Sequence, residues 1–122
     1  MKYAISKKDR TILRELAKKQ LEFSQEERNN ILIEKWYQHN ALEGEVPMVV
    51  LEAATFSSEV ISPRLQCSGE FARKIEFQIY HNFVNQELFN DDKVTPDYFA
   101  INYDQEFKLF DLDVDKEYEP QT

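Results

Sequence analysis

An α/β (or α+β) fold is predicted for this chain: an N-terminal helical pair over residues 1–44 and, over 45–122, a strand–helix–strand unit, together one domain. Three observations predict it. Two helix-capping signatures follow one another near the start, a long helix that is apolar on two sides occupies the centre, and β-rich runs lie before and after that helix. The order strand, helix, strand makes a right-handed parallel crossover the default.

Ser6-Lys7-Lys8-Asp9 has the form of a capping box, in which the serine and the carboxylate three residues on satisfy each other's N–H groups. The helix that starts there buries Ile12, Leu13, Leu16 and Ala17, with Gln20 and Leu21 near its end, and leaves Lys7, Lys8, Arg14, Lys18 and Lys19 in water. Ser24-Gln25-Glu26-Glu27 repeats the signature. The second helix turns Ile31, Leu32, the stem of Lys35 and Trp36 inward and ends near His39-Asn40, with Gly44 beyond.

Pro47 introduces residues 48–54, MVVLEAA, a run without alternation that suits a strand buried on both faces. Thr55 to Ser62 is ambiguous, with room for a turn of helix before Pro63. The central helix follows a short extended lead-in, Arg64 to Cys67. Ser68 is placed to cap it, Glu70 puts negative charge on its first turn, and apolar residues recur at Phe71, Ile75, Ile79 and Phe83. A second stripe, Phe77, Tyr80, Val84 and Leu88, marks a helix covered on two sides. After the polar turn Asn90-Asp91-Asp92-Lys93, Asp97 to Asn102 alternates as a strand, and Phe107 to Val114 alternates again as a strand with one wet face.

Composition narrows the function classes. With 122 residues, 42% of them hydrophobic and 13% aromatic, the chain can bury a core and is not disordered over most of its length. Two glycines leave no phosphate-cradling loop. A net charge of −8 disfavours nucleic acid and anionic membrane surfaces as partners. One cysteine excludes an internal disulfide, and no apolar run is long enough for a signal peptide or membrane helix, so a cytoplasmic protein is expected.

Three pieces in this order carry a resemblance: residues 46–51, VPMVVL; residues 65–71, LQCSGEF; and residues 97–104, DYFAINYD, with 107–114 after them. Together they resemble the N-terminal region of the uroporphyrinogen decarboxylase-like superfamily, which includes corrinoid-linked methyltransferases and serves porphyrin metabolism. The resemblance implies an incomplete (β/α)8 barrel, with residues 48–51 as its first strand and 98–102 as its second, about a quarter of the closed fold. Two strands cannot close. The expectation is therefore a separately expressed or truncated N-terminal region without catalysis of its own, or a chain completed as a homo-oligomer or by a second polypeptide that covers the open strand edge.

The resemblance also implies site residues. Asp104 looks like the counterpart of the family's catalytic aspartate at the end of the second strand; the other reading is an ordinary loop carboxylate. Tyr103 beside it and Glu52, at the end of the first strand, become substrate-binding candidates, although Glu52 better suits a carboxylate capping the next turn. The family's arginine-rich loop after the first strand has no match, since residues 52–56 read EAATF, which removes the clamp for a multiply anionic tetrapyrrole and favours the methyltransferase-like branch. Cys67, His39 and His81 lie too far apart in sequence for a metal-ligand pattern, and Asp111, Asp113 and Asp115 lack the glycine and glutamate of a calcium loop, so no metal or cofactor is expected. Cys67 reads as a small buried residue whose place before a helix could lower its pKa.

Overall fold

The computed structural model describes residues 3–102 and 110. Ser6, in extended conformation, starts helix α1 (Lys7–Ser24), and its hydroxyl accepts the Asp9 N–H at 3.1 Å. Helix α2 (Glu27–Asn40) begins after Glu26 and ends at Ala41, with Leu42 at a positive φ of 61°. A connector follows, made of an extended stretch, a 3-10 turn (Ala53–Phe56), the one-turn helix α3 (Ser57–Val60) and a second 3-10 turn (Ser62–Arg64). The central helix, α4 (Glu70–Val84), continues into a π-helical turn (Asn85–Phe89) that stops at Asn90, left-handed with φ 49°.

Helices α1 and α4 pack on each other. Leu13 and Leu16 meet Ala72, Ile79, Tyr80, Phe83 and Val84, and Ala53, Ile61 and Cys67 from the connector close the same core. Phe23 stacks on Phe83 with ring centroids 5.4 Å apart, which fixes the far end of the pair. The predicted stripe through Ile79 and Phe83 is buried, but Phe71 and Ile75 are only half-buried and Ala72 and Glu76 take the deepest positions of the first turns.

The expected strand–helix–strand unit does not form: no described residue is in a strand, and the described fold is helical. The physical reason is where the backbone groups of the two runs find partners. In residues 48–51 the Val49 N–H donates to the Asp92 carboxylate and the Leu51 N–H to the Asp91 carboxylate, both at 2.8 Å, while the Val49 carbonyl accepts the Asp92 N–H at 3.0 Å. The run is a strap tied to the Asn90–Lys93 turn. Val49 and Val50 are exposed rather than buried on two faces. In residues 96–100 the carbonyls go to side-chain amides: Gln20 donates to those of Pro96 and Tyr98 at 2.8 and 3.0 Å, and Gln78 to that of Ala100 at 2.8 Å. Tyr98, Phe99 and Ile101 are exposed. Neither run pairs with the other, so the opening of a barrel is absent here. The third expected strand, Phe107 to Val114, lies outside the described residues except for Phe110, which is exposed.

A buried polar seam replaces the sheet. Asn29 donates to the Thr95 carbonyl at 3.1 Å and accepts the Thr95 N–H at 2.8 Å; the Thr95 hydroxyl donates to Gln86, which donates in turn to the Phe23 carbonyl at 3.1 Å. The Trp36 indole N–H donates to the Asp92 carbonyl at 2.7 Å. Side chains of α1, α2 and the π turn thus hold residues 92–98 as irregular chain, chiefly by the carbonyls of Asp92, Thr95, Pro96 and Tyr98 and the Thr95 N–H.

Candidate functional site

Two neighbourhoods on α4 concentrate polar chemistry. The first is the loop before it. Glu76, fully buried one and a half turns into the helix, accepts the Gln66 and Cys67 N–H groups at 2.7 and 3.0 Å. Asp9, also buried, accepts the Ser68 and Gly69 N–H groups at 3.0 and 2.9 Å. The cap expected from Ser68 does not form, since no side chain accepts a first-turn N–H of α4, and the Gly69 and Ser68 N–H groups hold the Asp9 carboxyl below its ordinary range. A Cβ on Gly69 would lie 3.3 Å from Asp9 Oδ2, so glycine here permits the close approach. The Cys67 thiol sits between the two carboxylates. Burial, and then its neighbours Glu76 and Asp9, push it up to about 12, the reverse of an activated cysteine.

A second cluster tethers the far end of α4. Glu87, on the π turn, receives both guanidinium nitrogens of Arg64 and the ammonium of Lys19. Burial pushes its carboxyl up, but these partners outweigh burial and hold it low. Arg64 also lies over the Tyr80 ring, 4.5 Å from its centroid.

The second neighbourhood is an open groove of about 670 Å³ along the outer side of α4. Ala54, Leu65 and Phe77 give it apolar walls; Glu70, Arg73, Lys74, Gln78 and His81 supply its polar groups. Burial and the neighbouring Lys93 lower the His81 pKa, and the Lys93 ammonium donates to the His81 carbonyl at 3.0 Å. The groove could have been found in the sequence: Arg73, Phe77 and His81, and beside them Glu70, Lys74 and Gln78, follow the i, i+4, i+8 rows of one helix side. By apolar spacing alone Phe77 belongs to a second core stripe, and Arg73 carries no signal of its own.

The predicted site residues are not brought together at either place. Glu52 is exposed at the start of the Ala53–Phe56 turn, where its backbone carbonyl accepts the Thr55 N–H at 3.2 Å and its side chain makes no capping bond. Tyr103 and Asp104 lie outside the described residues. His39 packs edge-on against Trp36, 5.6 Å between ring centroids, while His81 lines the groove and Cys67 is in the core. Among the described residues no three His, Cys, Asp or Glu side chains are grouped to hold a metal ion, and no helix is long and apolar enough to cross a membrane. Comparison of the chain with protein families, curated proteins and solved structures finds no match.

Proposed function

We propose that the chain is a cytoplasmic docking module without catalytic activity of its own, and that it associates with a second copy of itself. One observation carries the docking reading. Val49, Val50, Tyr98, Phe99 and Ile101 are exposed apolar residues on two segments whose backbones are fastened, the first to the Asn90–Lys93 turn by Asp91 and Asp92, the second to α1 and α4 by Gln20 and Gln78. Segments so held keep their conformation while offering apolar side chains outward, which is what a preorganised contact surface requires.

Size-exclusion chromatography with light scattering tests the proposal on the full chain over a range of concentrations. The expected result is a self-dimer that Phe99→Asp dissolves. A monomer at every concentration, or a dimer indifferent to Phe99→Asp, would overturn the proposal.

A further inference from the structure

The groove along α4 is distinct from the docking segments, and its charge runs against that of the chain. The whole sequence carries −8, yet the groove is lined by Arg73 and Lys74 against one carboxylate, Glu70. Lys74 and Glu70 face each other at 3.7 Å, both exposed, which leaves Arg73 as the charge without a carboxylate partner among the described residues. One of its terminal nitrogens donates to the Cys67 carbonyl at 3.0 Å. That bond orients the guanidinium, and its other N–H groups meet no carboxylate among the described residues. A planar donor array held in place beside an apolar wall suits a bidentate anion better than it suits water alone. The walls, Leu65, Phe77 and Ala54, are half-buried or exposed apolar surface with no described side chain filling the space between them. A volume of about 670 Å³ is within the range of small-molecule sites.

We infer that this groove binds an amphipathic anion, a medium-chain or aromatic carboxylate, with its apolar body along Leu65 and Phe77 and its head group on Arg73. Lys74 adds charge at the rim, and Gln78 does not compete for the head group because its amide is committed to the Ala100 carbonyl. No bond is made or broken. Specificity rests on the pairing of one anionic head with one hydrophobic tail: a neutral analogue loses the arginine, and a short anion such as acetate loses the wall.

The test uses decanoate, below its micelle concentration, and decan-1-ol as the uncharged probe. Each is titrated into the full chain and followed by amide chemical shifts in heteronuclear NMR spectra. Decanoate is expected to shift Leu65, Arg73, Phe77 and Gln78 and to bind about tenfold more tightly than decan-1-ol, as one charge-assisted bidentate contact provides. In Arg73→Gln that preference should vanish. Comparing the two probes on the unaltered protein decides the matter even if Arg73→Gln perturbs the Cys67 loop. Absence of decanoate binding, equal affinity for the two probes, or shifts centred away from the groove would overturn the inference.

Discussion

Asp9 and Glu76 divide four consecutive backbone N–H groups between them, Glu76 taking Gln66 and Cys67 and Asp9 taking Ser68 and Gly69, all within 2.7 to 3.0 Å. One carboxylate comes from α1 and the other from α4, so a single loop joins the two helices by its main chain. Neither is replaceable by an amide without loss, since an amide turns a donor toward a donor.

Glu76→Gln should destabilise the protein by roughly 1–3 kcal/mol, the cost of a buried donor left facing the Cys67 N–H. Urea unfolding with an unchanged m-value measures it. A change below about 0.5 kcal/mol would mean that the loop can shed this partner.

Asp9 predicts an acid limb. Its carboxyl is held below the ordinary 3.8 in the folded protein, first by the Gly69 N–H and then by the Ser68 N–H. A depressed folded pKa contributes stability above the unfolded value and loses it as pH falls through the folded one. The urea midpoint of the parent protein should therefore decline from about pH 4 downward, and the gap to Asp9→Asn, wide at pH 7, should narrow over that same window. A gap that stays constant from pH 7 to pH 2 would assign the effect to packing instead.

The Arg64–Glu87 pair is half-shielded and bidentate, with Lys19 as a third member. Because Arg64 is partly exposed, its coupling to Glu87 should be about 1 kcal/mol rather than the larger value of a sealed pair. The double-mutant cycle Arg64→Gln with Glu87→Gln gives it directly. Arg64→Lys should recover less than half, having lost both the second nitrogen and the stacking on Tyr80.

Asp91→Ala frees the Leu51 N–H and one partner of the Asn85 amide. Hydrogen exchange at Leu51 should accelerate far more than at Ile79 or Phe83, since the strap opens without the core. Uniform acceleration would show the strap and core to be one cooperative unit.

Ile79→Ala should cost about 2–5 kcal/mol, because Ile79 is buried in the α1–α4 core. Circular dichroism during urea titration reads it, and a near-neutral result would contradict the packing.

The helices were legible in the sequence because their signals are local. The Ser6 cap, the apolar spacing of Leu13 and Leu16, and the recurrence at Ile79 and Phe83 all act within a few residues. The supposed strands were not, since Val49 and Leu51 owe their conformation to Asp91 and Asp92 some forty positions away. A run such as MVVL has the same composition whether its N–H groups meet a neighbouring strand or two carboxylates. Asp9 shows the same limit from the other side: its spacing from Ser6 fits a capping box, and half of that box is used, but its carboxylate leaves its own helix to hold the loop before α4. At the groove, Arg73, Phe77 and His81 were readable as a helical row, yet the row looks identical to ordinary core and solvent positions until the connector carrying Ala54 and Leu65 comes to lie beside it.

Cys67 is the chain's sole sulfhydryl, sealed in the core and protonated at any ordinary pH. An alkylating reagent can reach it only after the loop held by Glu76 and Asp9 has opened, so the rate at which one molar equivalent of label is incorporated becomes a clock for that opening. The molecule thus carries its own reporter of loop release, readable by mass spectrometry with no residue altered.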